Sequence, residues 1–269
     1  MSLEQPEGER IQSLRRRKTN RIIYSISTGL LVMSIIAGSI FLIFRDKSGE
    51  PGFALHNTPT AASIPRPTPT LLVPTQAIFY DIFLDNSNNW ELSNQDGYIR
   101  TIVPGMLILA DMNPHTTLVE SLPNNNVYSD FTISIDFTIA KGDANDSTGL
   151  YLRGDNNLDH DYRIDINGNN TIDVAKEYLD TNENPETTML YGPRSSSALR
   201  PPGQQNTLTV TMVGPQMVVM INQEVVSSVT DSDYKSGQIA LFARHGSTSD
   251  GIVVSFSRIE IDNALLQMP

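Results

Sequence analysis

From residue 78 onward the chain alternates apolar and polar side chains with a period of two. Phe131, Ile133, Ile135, Phe137 and Ile139 interleave with Thr132, Ser134, Asp136 and Thr138. Successive side chains of an extended backbone point to opposite faces, so this segment has one buried and one wet face, a pattern a 3.6-residue helix does not produce. Leu208, Val210 and Met212 alternate with Thr207, Thr209 and Thr211 in the same way. The pattern predicts further strands over 78–84, 97–103, 106–110, 149–153, 162–166, 171–176, 217–221, 224–229, 237–243 and 252–261. Asn167-Gly168, Gly214-Pro215 and Asn222-Gln223 are turn signals between them; Asn169-Asn170 leaves room for a longer loop at the first. Strands spaced by turn residues with no amphipathic helix between them predict an all-β chain. The expectation is a single antiparallel β-sandwich over 78–263, with 264–269 a short tail. Residues 141–148, 155–161 and 178–205 are predicted as long surface loops, where specificity usually resides on such a scaffold.

The amino-terminal part reads differently. Residues 1–21 carry Arg10, Arg15, Arg16, Arg17, Lys18 and Arg21 against three acids, while 76–269 holds 10 Lys+Arg and 25 Asp+Glu, a net of −15. Between basic head and acidic body, residues 22–44 contain no charged side chain. As a helix this stretch would span roughly 34 Å, against a hydrocarbon core of about 30 Å. A single transmembrane helix is therefore expected. A buried core helix rarely runs so long without a polar face, and the apolar run passes beyond Ala37-Gly38-Ser39, the one plausible signal-peptide cleavage site. The basic cluster before the span sets the orientation: a cytoplasmic tail at 1–21, and everything after residue 45 outside the cell membrane. Nuclear targeting or nucleic-acid binding competes for that cluster but fits poorly beside a span. Residues 45–77, with Pro51, Pro59, Pro65, Pro67, Pro69 and Pro74 among threonines, read as an extended, disordered linker.

Composition excludes several chemistries. The chain of 269 residues has no cysteine, which removes disulfides, thiolate metal sites and cysteine nucleophiles. A formal charge of −11 leaves no broad face to neutralise phosphates, so no nucleic-acid partner is expected. His56, His115, His160 and His245 are scattered, with neither H-E-x-x-H nor G-x-S-x-G.

Asp81-Ile-Phe-Leu-Asp85-Asn-Ser-Asn-Asn-Trp90 resembles the opening strand of concanavalin A-like jelly-roll domains. Tyr128-Ser-Asp-Phe131-Thr-Ile-Ser-Ile135-Asp, Gly149-Leu-Tyr-Leu-Arg153, Asp161-Tyr-Arg-Ile-Asp-Ile166 and Asp231-Ser-Asp-Tyr234-Lys-Ser-Gly237 are similar to its later strands and turns. The likeness covers 78–262 and is nearest to the laminin-G-like, exo-inulinase sandwich and 3-keto-disaccharide-hydrolase-like branches. It implies a jelly roll and a carbohydrate-related role. Its motifs are structural glycines, aromatics and turn asparagines, which specify fold better than function. The laminarinase motif E-x-D-x-x-E is absent around Asp136, which argues against hydrolysis of that type.

Parity nominates a site. If Leu150 and Leu152 face the core, Tyr151 and Arg153 face outward, and Arg163 and Asp165 oppose Tyr162, Ile164 and Ile166. Tyr151, Arg153, Arg163, Asp165 and Arg244 are therefore expected to line one polar-aromatic groove; a solvated ion-pair face is the alternative for each alone. Trp90 is expected to plug the core, with an exposed sugar platform as the alternative. No cofactor is required. Two oxygen-rich loops, Asp143, Asn145 and Asp146, and Asp155, Asp159 and Asp161, could hold a structural calcium ion, though neither is an EF-hand and a solvated turn is the default. Three functions remain open: a membrane-anchored module binding glycan or another envelope polymer, a glycan-degrading hydrolase, and a structural ectodomain bound to an envelope protein.

Overall fold

A computed structural model describes residues 77–246 and 250–264. The expected cytoplasmic tail, membrane span and linker lie outside these residues, apart from Ala77. Among the described residues no helix is long and apolar enough to cross a membrane.

Fourteen strands form the described body: β1 (Phe79–Asp81), β2 (Tyr98–Val103), β3 (Met106–Asp111), β4 (Thr116–Ser121), β5 (Phe131–Lys141), β6 (Ser147–Gly154) and β7 (Asp161–Asn167), followed by β8 (Thr171–Leu179), β9 (Pro185–Ser195), β10 (Asn206–Val213), β11 (Gln216–Ile221), β12 (Glu224–Thr230), β13 (Gln238–His245) and β14 (Ile252–Asn263). One sheet runs β12-β11-β10-β5-β14-β3-β2, with β1 also paired to β14; the other runs β4-β13-β6-β7-β8-β9. Every pairing is antiparallel. The all-β antiparallel sandwich is as the alternation predicts.

The apolar parity set builds the layer between the sheets. Phe131, Ile133, Ile135 and Phe137 of β5 and Leu208, Val210 and Met212 of β10 share one core with Leu150, Leu152, Ile164 and Leu241 of the facing sheet. Truncating one of the buried phenylalanines would cost about 3–5 kcal/mol. The wet side of the first sheet carries hydroxyl pairs, Thr132–Thr211 at 3.0 Å and Ser134–Thr209 at 2.9 Å.

The structure corrects the predicted elements in four places. The first strand stops at Asp81 because its Oδ1 accepts the Phe83 amide at 2.6 Å, and Phe83 turns the chain at φ 56°. β4 was not among the predicted strands: its inward Glu120 breaks the apolar alternation. Nearly half of the predicted 178–205 loop is strand, since β8 runs to Leu179 and β9 occupies 185–195 as an exposed edge. The β7–β8 connection is longer than a two-residue turn, with Asn170 taking the positive φ of 61°. Trp90 lies in the core at 3% exposure, packed edge-on by Phe79 and at a tilt by Phe83, with its Nε1 donating to Asp81 at 2.7 Å. It is no exposed platform.

Candidate functional site on the outer face of the six-stranded sheet

The central strands β13, β6, β7 and β8 turn one face to the core and carry a chemically dense set on the other. Register sets Tyr151 between Ala240 and Arg163, and Gly149 between Phe242 and Asp165, with Asp173 beside Asp165 on β8. Gly149 is required here: a Cβ at this position would lie 1.9 Å from the Ile164 carbonyl oxygen and 3.3 Å from the Phe242 ring. Phe242 therefore lies over the strand and packs against Tyr151, ring centroids 5.1 Å apart, in a small apolar cluster completed by Ala240, Val119 and Leu158.

Beside this cluster runs an ionic network. Asp165 is fully buried and accepts from Arg163 Nε at 2.6 Å, from Arg244 at 2.5 Å and from Ser147 Oγ at 2.9 Å. The Arg163 guanidinium also pairs with Glu177 on β8. Burial pushes the Arg163 guanidinium down, but the Asp165 carboxylate more than reverses this and raises it. Burial likewise raises the Tyr151 phenol, which lies in the combined field of Arg163, Asp161, Asp165 and Arg244. Asp173 is pushed up to about 6, first by burial and then by the neighbouring Asp165. Its carboxylate accepts from Asn167 Nδ2 at 2.8 Å.

Asp161 completes the set. It shares the outward parity of Arg163 and Asp165, is fully buried, and neither carboxyl oxygen has a hydrogen-bond partner. Burial pushes it up to about 7, against the opposing pull of Arg163. A buried carboxyl without donors costs several kcal/mol when ionised, so burial favours its protonated form.

Of the five residues nominated by parity, Tyr151, Arg163, Asp165 and Arg244 converge on this face. Tyr151 is 7% exposed and packs against Phe242, so its ring is no open platform. Arg153 stands apart. Its φ of 52° breaks the strand parity, and its guanidinium donates to the carbonyls of Ser129, Gly214 and Tyr234 and to Asp130. It clasps loops at one end of the sandwich. Asp173 and Glu177 escaped the sequence reading although they alternate with Ile172, Val174 and Lys176, and the same parity rule would have found them.

The two oxygen-rich loops turn their carboxylates largely onto their own backbone. Asp143 Oδ1 accepts the Asn145 amide at 2.8 Å, and Asp146 accepts the amides of Asp143 and Gly246 at 2.8 and 2.6 Å. Asp155 accepts the amides of Asn157 and Asp159 at 3.1 and 2.9 Å and lies 3.2 Å from His160 Nδ1. Asp161 belongs to β7, not to that loop. Among the described residues no group of three or more His, Cys, Asp or Glu side chains is arranged to hold a metal ion.

Comparison with solved structures gives the fold independently. A Bacteroides ovatus mixed-linkage glucan enzyme of family GH16, solved with the product G4G4G3G, aligns with a TM-score of 0.50 at 12% identity, covering 68% of this chain and 99% of that one. The carbohydrate-binding module CBM66 from Bacillus subtilis aligns at 14% identity over 70% of this chain and 98% of its own, TM-score 0.41. The Bacillus licheniformis β-glucanase aligns at 12% identity over 69% and 98%, TM-score 0.45. No curated protein matches the chain. Residues 82–262, from the end of β1 almost to the end of β14, match a single family over the whole sandwich, and the chain belongs to the family of 3-keto-alpha-glucoside-1,2-lyase-like domains.

Proposed function

We propose that the protein is a membrane-tethered module that recognises carbohydrate outside a bacterial cell through the outer face of its six-stranded sheet. In this reading residues 22–44 anchor the chain and 45–77 set the distance at which the sandwich works. The observation that carries it is the convergence of Tyr151, Arg163, Asp165 and Arg244, with Asp161, Asp173 and Glu177, on one sheet face. Sugar hydroxyls need fixed donors and acceptors at close range, and side chains held by one another lose little freedom on binding. Family membership points the same way. The test is a glycan array probed with the detergent-solubilised full chain. Binding is expected, and Arg163→Ala with Arg244→Ala should abolish it; an array without signal would remove the reading.

A second reading is favoured by the lyase-like family itself. A 1,2-elimination on a 3-keto glucoside removes the C2 proton, forms the C1–C2 double bond and expels the C1 substituent. A base for such a step works best with a pKa near neutrality, and Asp161, a carboxyl without a hydrogen-bond donor that burial pushes up to about 7, is the candidate on this face, with Asp173, pushed up to about 6, beside it. Release of free sugar from 3-keto glucosides, lost in Asp161→Asn, would select this reading over simple binding.

A further inference from the structure

The candidate face holds more acids than bases. Asp161, Asp165, Asp173 and Glu177 contribute four carboxyl groups, and Arg163 and Arg244 two guanidinium groups, leaving an excess of two acids. Both arginines are committed: Arg163 to Asp165 and Glu177, Arg244 to Asp165. Asp161 receives no donor although it is fully buried. Arg163 is the strongest charge acting on it, and Asp155 and Asp159 on the adjoining loop oppose that pull with negative charge. A hydroxyl would satisfy one lone pair of the carboxyl; a cation bearing N–H donors would also favour its ionised form and hold it in a charge-assisted pair.

We propose that this face selects a glycan carrying protonated amino groups, with an ammonium seated against the Asp161 carboxylate. The inference rests on the carbohydrate reading above and names the ligand class for it. Access lies under the 155–160 loop. Leu158 and Asp161 crowd the same space over Gly154, where a Cβ would lie 2.4 Å from Leu158 Cδ2 and 3.4 Å from Asp161 Cβ. The loop's residues are exposed or half-buried and Leu158 packs against the Tyr151–Phe242 cluster; Leu158 must move aside for the ammonium to reach the carboxyl. A uronate or sulfated sugar would instead bring a like charge to an acidic face and be rejected.

The experiment is calorimetric titration of the full chain in detergent, near neutral pH and moderate salt. The probes are tetramers of glucosamine, N-acetylglucosamine, glucose and galacturonate. The glucosamine tetramer is expected to bind about tenfold or more tighter than its acetylated counterpart, the worth of one charge-assisted contact. Asp161→Asn should erase that preference. Glu224→Gln, the same charge change on the far edge of the other sheet, should keep it. Equal loss in both variants would reduce the preference to general attraction by an acidic protein and overturn the proposal. Should Asp161→Asn fail to fold, Asp173→Asn must lower the preference severalfold, and an unchanged preference there overturns it. Equal binding of glucose and glucosamine tetramers sinks the amino-sugar inference while the carbohydrate reading stands. Binding of none sinks both.

Discussion

Asp81 organises the start of the sandwich through three donors, the Phe83 amide, Trp90 Nε1 and Asn88 Nδ2 at 2.8 Å. Trp90→Phe keeps most of the packing but removes the indole donor to a buried carboxylate; it should cost about 1–3 kcal/mol in urea denaturation. Asp161 makes a prediction of opposite sense. Its carboxyl is raised from the ordinary 3.8 to about 7, mainly by burial. The folded state therefore binds more protons than the unfolded one across that window, and on this group's account stability falls as pH rises through it. Asp161→Asn has nothing to ionise. The difference in urea midpoint between variant and wild type should shift in the variant's favour between about pH 5 and pH 8, and a pH-independent difference would contradict the assignment. Residue parity made Tyr151, Arg163 and Asp165 legible in the sequence, because a strand that turns its even set to the core turns its odd set to the other face; Arg244 shares that face from β13, where the odd set Ile239, Leu241 and Ala243 faces the core. Arg153 was illegible for the same reason: parity assumes extended φ, and a single left-handed residue redirects the side chain.

Strands with a clean two-period alternation, β5 and β10 above all, could be read directly. β4 could not, because Glu120 occupies an inward position, paired with Arg100 at 2.8 Å and accepting the Glu91 amide at 3.1 Å. Burial pushes this glutamate up to about 7. β9 was hidden because an edge strand leaves both faces half-wet, so its hydrophobic signal vanishes and its prolines read as loop. Two predictions belong to the elements. Gly149→Ala should cost at least about 3 kcal/mol, since its methyl meets backbone that can yield only by breaking the β6–β7 register. Arg153→Lys should lower the melting temperature, because a lysine ammonium cannot fork across the carbonyls of Ser129, Gly214 and Tyr234. Its glycan affinity should stay at the wild-type value; a large affinity loss with unchanged melting would return Arg153 to the binding face.

The whole chain joins an acidic body to a basic head through an uncharged stretch and a proline-rich spacer. The proposed tether predicts that trypsin applied to intact cells cuts within 45–77 at Lys47, since Arg66 is shielded by the following Pro67, and frees the sandwich. Protection in intact cells, lost on permeabilisation, would place the body on the wrong side of the membrane. The entry of the chain into the sandwich carries a mechanical consequence. A captured polymer under flow would transmit tension through the spacer to Ile78, whose amide is tied to the Ile261 carbonyl at 2.7 Å at the head of the three-residue β1. Because β1 lies antiparallel along β14, that tension peels its few bonds in succession. The wedge of Phe79, Phe83 and Trp90 is then the peg that keeps the first strand from unzipping while the sugar-facing sheet stays whole.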